Sequence, residues 1–403
     1  MNKTRKNTNN KWVVLILGAL TNTIVAAVQS ISLSVLLPEI SSEMNLSLVQ
    51  SGLIWGIGSL PIIFSSFFAG ILADQLGPKR TILIGCLSAG LLGASRGLAN
   101  NFATLMVTIF LFGLFLPLIT ISNVKNTKIW FDEKHIGLAN GIVSLGMALG
   151  FFVGSNVSAS TISPWLGGWR NVFFFYGLIS FMMIIPWLIS PSEPARTKDT
   201  DKSAQKFSWH QINHVIKIRE LWLIGLSIMA FSAGIQGLLG YLPLYLRSIG
   251  WQEIRADNAA SFFHLASMLS VIPLTYIADK LGTGKKIAII AAGLTTLSIG
   301  SLFFVHDGGI LASLILAGIT RDSLMAILIT FAVNTKGLGV DYSGIALGFI
   351  FFLMGIGNLV SPPLGNKLAD ITPSTPFLFW GALILVSLIC IVLTRNNKTE
   401  NTA

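Results

Sequence analysis

The dipeptide Arg321-Asp322 lies inside an otherwise apolar run, residues 309–333. At 1.5 Å of rise per helical residue, Arg321 sits about 18 Å into the run, near the middle of a bilayer core. A charge at that depth costs about 2.5–3.5 kcal/mol on insertion scales, and such a residue marks a solute path, a proton relay or a buried pair. Neighbouring helix positions point in different directions, so the two side chains are not expected to neutralise each other. The helix itself offers only Ala317, Gly318, Met325 and Ala326 around them. Partners are therefore expected from other helices, water or a solute. On the functional reading Arg321 binds an anionic group and Asp322 orients it or carries a coupling proton. On the bland reading the pair fixes helix packing.

Other polar side chains lie at depth. His264, in the run 258–278, is a candidate for proton coupling, because histidine is the side chain whose ordinary range lies near physiological pH. Asn22, Gln29 and Gln236 are uncharged hydrogen-bonding groups and candidate solute contacts; bonding between helices is the alternative. Lys125 and Lys128, at one end of the run 102–124, could attract an anion or simply anchor the chain at the interface. The five histidines are scattered, and Cys86 and Cys390 stand apart in apolar stretches. No metal site, disulfide framework or catalytic constellation is expected. The chain also has no Gly-x-x-x-x-Gly-Lys-Ser/Thr loop for nucleotide. It is read as a non-enzyme without a cofactor, and as a monomer.

The elements that must position these groups are membrane spans. Only 11% of the 403 residues are charged and 53% are hydrophobic, and the mean hydropathy is +0.73. A water-soluble domain carries roughly 25% charge. Twelve runs are long enough to cross a bilayer: 12–37, 48–72, 81–99, 102–124, 136–160 and 171–190, then 221–246, 258–278, 286–305, 309–333, 343–364 and 375–394. The polar stretch 191–220 separates them into a bundle over 1–190 and a bundle over 221–403, and its segment 208–218 suits a short interfacial helix. Of the 27 basic residues, Arg96, Arg170, Arg247, Arg255 and Lys367 fall on one side and Arg321 within a span; the rest share the side of the N-terminus. That asymmetry places both termini in the cytoplasm of a cell inner membrane. It also accounts for the net charge of +10 without a nucleic-acid partner.

The two bundles repeat. Leu36-Leu37-Pro38 matches Tyr241-Leu242-Pro243, and Ala73-Asp74-Gln75-Leu76-Gly77 matches Ala278-Asp279-Lys280-Leu281-Gly282, both at an offset of 205. Gly137, Gly141 and Gly150 match Gly344, Gly348 and Gly357 at an offset of 207. Parallel halves are a transporter architecture. The small-residue stripe Gly146, Gly150, Gly154, and its looser counterpart Gly348, Gly355, Gly357, suits either close helix packing or two bundles that rock. The stretch Gly70 to Arg80 joins a helix end, the Asp74 carboxylate, a tight turn at Gly77 and the cations Lys79 and Arg80. Gly70 is expected to admit a close helix, Asp74 to cap a helix N-terminus, and the cations to add ion pairs to a patch that locks one conformation.

That stretch resembles the loop 2–3 signature of the major facilitator superfamily, and Ala278 to Lys286, with Asp279 and Gly282, resembles its second-half echo. Gly168-Trp169-Arg170 resembles the usual entry to the sixth helix. Trp130-Phe131 through Gly137-Leu138-Ala139-Asn140-Gly141 resembles the connection of the fourth and fifth helices in several anion and organic-acid carriers. The resemblance covers essentially the whole chain. It implies an all-α fold of twelve transmembrane helices, gating by the Gly70–Arg80 patch, and a solute cavity between the halves lined by the first helix of each three-helix unit. Ile109, where many proton antiporters have arginine, and Gly154-Ser155, where drug antiporters tend to have Gly-Pro, turn the reading away from drug export by proton antiport, the alternative. The sequence thus reads as a secondary transporter of a small organic or inorganic anion, with proton symport.

Overall fold

The structure is a computed structural model and describes residues 2–191, 209–335, 338 and 342–394. Every regular element among them is helical. The first six long helices are α1 (Asn10–Met44), α2 (Leu48–Leu76), α3 (Pro78–Leu98), α4 (Phe102–Trp130), α5 (Lys134–Leu166) and α6 (Trp169–Ile189). A short amphipathic helix follows, α7 (Trp209–Lys217), where the sequence placed an interfacial segment. Then come α8 (Arg219–Ser248), α9 (Glu253–Ala278), α10 (Gly284–Ser301), α11 (Gly308–Val333), α12 (Gly344–Leu368) and α13 (Thr375–Leu393). Among the described residues, eleven of these are long and apolar enough to span. The shortfall from twelve is α10, whose Lys285, Lys286, Thr295, Thr296, Ser298 and Ser301 lower its apolarity.

Local sequence explains the helix ends. Ser47 and Asn101 cap α2 and α4 through reciprocal bonds with Gln50 and Thr104. Gly77 turns α2 into α3 at φ +88°, and Gly282, its counterpart, occupies the turn after α9 at φ +59°. Both angles lie where a Cβ is strained, which is the physical content of the repeated glycine.

The chain forms two compact units, Met1–Ala195 with Leu242–His264, and Arg196–Tyr241 with Leu265–Ala403. The division expected at 191–220 therefore omits one exchange: the end of α8 and the start of α9 pack with the first unit. Polar ties hold them there. Asn156 Nδ2 donates to Asn258 Oδ1 at 2.6 Å, and the Ser160 amide donates to Asp257 Oδ2 at 2.9 Å.

Within the first unit the stripe Gly146, Gly150, Gly154 of α5 lies on α1. A Cβ at Gly150 would come within 2.5 Å of the Thr23 carbonyl and of Ala27 Cβ, and one at Gly154 within 2.5 Å of Ile31. The stripe is an intra-unit packing face, so the rocking surface expected as one of its two readings is not what it forms. Cys86 is buried in the adjoining apolar core with Val25, Ile82, Phe112 and Trp187, as a small hydrophobe. At the start of α6, Glu39 accepts from the Trp169 amide at 2.9 Å and from Ser163 at 2.7 Å. Glu43 accepts from the Trp169 indole and pairs with Arg170. The Gly168-Trp169-Arg170 motif is thus where two α1 carboxylates fasten the N-terminus of α6.

The second unit repeats these devices. A Cβ at Gly357 would approach Met229 O to 2.9 Å, as Gly150 approaches α1. Lys285 Nζ caps the end of α13 through the carbonyls of Val392 (3.0 Å) and Thr394. Lys79 Nζ does the same for α6 through Leu188 (3.3 Å) and Ser190 (2.6 Å). Trp380 is wholly buried, wedged where a Cβ on Gly237 or Gly365 would overlap its ring.

Gly150→Ala is expected to lower stability by about 1–3 kcal/mol, because the added methyl meets backbone on α1. Gly348→Ala, whose Cβ meets no described atom within 4 Å, is expected to be neutral or slightly stabilising. Thermal unfolding midpoints of the two purified variants in detergent check the contrast.

Candidate functional site

Arg321 and Asp322 lie midway along α11. Contrary to the expectation that adjacent residues cannot pair, Arg321 Nε stands 3.6 Å from Asp322 Oδ1. The long arginine stem lets the guanidinium fold back along the helix surface, which a Cβ-direction argument does not capture. Asp322 is fixed from α9: Ser267 Oγ donates to its Oδ2 at 2.6 Å. Ser270, one turn further, donates to the Ile319 carbonyl at 2.7 Å. The carboxylate is thus held by a hydroxyl on a second helix and lies beside a cation on its own. The side chains of Arg321 and Asp322 remain 19% and 36% exposed, so the pair is not sealed in a dry helix contact.

His264 belongs to the first unit. It is buried, with its ring 5.5 Å from Phe151 and 5.4 Å from Phe263. Gln236 is half-buried on α8.

Asn22 and Gln29 are both committed to protein partners. Asn22 Oδ1 accepts from Asn123 Nδ2 at 2.8 Å, and its Nδ2 donates to the Val143 carbonyl at 3.3 Å. Beside Asn123, a small cleft is lined by Gly18, Asn126, Thr127 and Trp130 among others. There Asn123 Oδ1 and Asn126 Oδ1 are buried acceptors with no hydrogen-bond partner among the described residues, a place suited to water. Gln29 donates to Ser180 Oγ at 2.5 Å and accepts from Arg96 Nη2 at 3.0 Å.

Arg96 corrects the charge tally, which placed it in an external loop. It is 1% exposed. Its guanidinium donates to the carbonyls of Gly93 and Gln29 and to Gln29 Oε1 at 2.9–3.0 Å, and lies 4.2 Å from the centroids of both Phe112 and Phe173. Neutral acceptors and two ring faces replace its hydration. The one sequence signal was Gln29, a lone amide in an apolar run that needed a buried partner. Arg96 is enclosed by protein and is not a solute ligand.

In the Gly70–Arg80 patch a cation beside Asp74 comes from α4. Asp74 Oδ1 pairs with Lys125 Nζ at 2.6 Å, and the same ammonium donates to the Gly70 carbonyl at 2.6 Å. Gly70 therefore contributes its backbone oxygen; a Cβ there would meet no described atom within 4 Å, so no helix crowds it here. Lys79 caps α6, and Arg80 is exposed. Lys125, expected as an interface anchor or an anion attractor, is the cation of this patch. Lys128 is exposed near the end of α4. The side chain of Asp279 lies outside the described residues.

With the geometry established, comparison with known proteins identifies the family. The model of the Major Facilitator Superfamily matches residues 18–337. The chain is similar to the "Probable sulfoacetate transporter SauU" of Cupriavidus necator, 23% identical over 393 residues, covering 89% of this chain and 88% of that protein. It is similar to the cis,cis-muconate transport protein of Acinetobacter baylyi, 23% identical, covering 90% and 89%. It is also similar to the multidrug efflux protein YfmO of Bacillus subtilis, 21% identical, covering 90% and 88%. Its fold matches the crystal structure of the nucleoside transporter NupG with a TM-score of 0.79 at 14% identity, covering 94% and 99%. The chain belongs to the Major Facilitator Superfamily: it is a multi-pass membrane transporter for small solutes, and not an enzyme.

Because Lys125 and Asp74 are 27% and 62% exposed, Asp74→Asn is expected to cost no more than about 1 kcal/mol of stability. Arg96→Gln, which leaves the Gly93 and Gln29 acceptors without their donor, is expected to cost about 1–3 kcal/mol. Unfolding midpoints of the two variants check the ranking.

Proposed function

We propose that this superfamily member is a secondary carrier of a small organic anion, working in the cytoplasmic membrane with both termini inside. Arg321 is the ligand for the anionic group, Asp322 carries the coupling proton, and transport is symport. The observation that carries the reading is the state of Arg321: a guanidinium halfway along a spanning helix, partly accessible, beside a carboxylate that Ser267 holds from another helix. A cation in that setting gains from a visiting anion what hydrocarbon cannot give it. Protonation of Asp322 would release Arg321 from its neighbour as the anion arrives. Two relatives, named for the transport of sulfoacetate and cis,cis-muconate, concern small acids and support the class. Asn22 and Gln29 are left out of the binding set because their amides are already used; Gln236 stays in it as a secondary contact. His264, packed among aromatic rings, is left out of the coupling.

The Gly70–Arg80 patch has a gating role in this proposal. Lys125 holds Asp74 in the conformation described, and a rearrangement of the bundle exchanges that partner for another.

The similarity to a multidrug efflux protein favours a second reading, export of hydrophobic compounds. It makes the opposite demand on Arg321, since an uncharged solute gains little from a guanidinium.

The experiment is a thermal-shift screen of small carboxylates and sulfonates, followed by counterflow in proteoliposomes with and without a pH gradient. Arg321→Gln is expected to weaken anion binding about 10- to 100-fold, the loss of one charge-assisted contact worth about 1.5–3 kcal/mol. Arg321→Lys should restore part of it. Asp322→Asn should leave counterflow intact and abolish its response to the gradient. Unchanged anion affinity in Arg321→Gln would overturn the reading.

A further inference from the structure

The two oxygens of the Asp322 carboxyl are not equivalent. Ser267 Oγ, on α9, donates to Oδ2 at 2.6 Å and accepts from the Asp322 backbone amide at 3.3 Å. Ser267 is buried, and Ser270, one turn along, ties the same two helices through the Ile319 carbonyl at 2.7 Å. The carboxyl is therefore fixed from a second helix. Its other oxygen, Oδ1, lies 3.6 Å from Arg321 Nε, beyond the roughly 2.7–3.2 Å usual for an N–H···O bond. Oδ1 makes no hydrogen bond among the described residues, and the Asp322 side chain keeps 36% of its surface open. Thr320, the polar neighbour on the other side of Arg321, is already bonded to Thr295 at 2.6 Å. An acceptor thus stands beside a cation, held so that it cannot turn away.

A solute whose anionic group meets the guanidinium brings its next carbons close to Oδ1. Three kinds of group could stand there. An aliphatic hydrogen leaves Oδ1 without a partner where water is scarce, which costs binding. An ammonium only donates. It suits a carboxylate but not the protonated acid that symport requires, and it adds a second cation beside Arg321. A hydroxyl both donates and accepts. It donates to Oδ1 when the acid is ionised, and accepts from it when the acid carries the coupling proton, which goes to Oδ1 because Oδ2 is taken by Ser267. Only the hydroxyl keeps its bond in both states.

We infer that the carrier selects hydroxy acids: anions with a hydroxyl one or two carbons from the anionic group, bonded to Asp322 Oδ1, with Ser267 as the positioning residue. The selection rests on Arg321 as the anion ligand and narrows the solute class that it takes. It holds whichever protonation state Asp322 is in.

The test is binding of matched solutes to the full chain in detergent, by titration calorimetry. The pairs are isethionate against ethanesulfonate and glycolate against acetate, with taurine as the amino counterpart of isethionate. Members of a pair carry the same charge and differ by one hydroxyl, so their ratio cancels the contribution of Arg321. The hydroxylated member is expected to bind about 10- to 100-fold tighter, the gain of one bond to an ionisable group. Taurine is expected to bind more weakly than isethionate. Asp322→Ala should bring the ratio within about threefold of unity, since the bond is gone. Ser267→Ala, which leaves the carboxyl present but unfastened, should lower the ratio part of the way. Each ratio is taken on one preparation, so a general loss of stability does not move it. Equal affinities within both pairs in the wild type overturn the inference without requiring any variant to fold. So does a wild-type ratio in Asp322→Ala, or taurine bound tighter than isethionate. In those cases the anion reading stands if Arg321→Gln weakens both members of a pair alike. If none of the anions binds, it is the reading of Arg321 that fails, and the hydroxyl selection falls with it.

Discussion

Hydrocarbon supplies no hydrogen bonds, so each polar group inside a spanning helix must find its partner elsewhere in the protein. That constraint organises this molecule. Asn22 is met by Asn123, Gln29 by Arg96 and Ser180, Asp257 by Ser160 and Arg247, and Asp322 by Ser267. Each pairing joins two or more helices, so satisfying the polar groups also sets which helices are neighbours. The glycine faces then let those neighbours come close: α1 on α5 at Gly150, and α8 on α12 at Gly357.

The two guanidiniums show how the same constraint yields different roles. Arg96 is closed on every side, by three oxygen acceptors and by the faces of Phe112 and Phe173. Nothing is left for a solute to do there, and its contribution is to bind α1, α3, α4 and α6 into one bundle. Arg321 keeps part of its surface open and has a carboxylate that is itself restrained from α9. A restrained counter-ion cannot follow the guanidinium wherever it moves, which makes the pair separable. That difference in enclosure is the physical ground for assigning solute binding to α11 and structure to α3.

The repeat gives these assignments a frame. Lys79 and Lys285 cap the last helix of their own halves, and Gly77 and Gly282 both take positive φ after the second helix of their half. Departures from the repeat are then informative. Lys125, which holds Asp74, belongs to the first half, as does the π-helical stretch of α5 that reaches Asp257. The positive-φ glycines and the lysine caps recur in both halves.

Hydropathy, the side preference of basic residues and internal offsets were enough to read spanning helices, two related halves and a transporter from the sequence. Each follows from periodicity or composition, which are properties of the chain itself. The depth of Arg321 was legible for the same reason, since rise per residue is fixed. Partner choice was not. Nothing along the chain says that Arg96 reaches Gln29, that Lys125 meets Asp74, or that the Arg321 stem folds back to Asp322. Residues 242–264 read as part of the second half, yet they pack with the first. These outcomes depend on which helices are adjacent and how far flexible side chains extend, and only the assembled bundle decides that.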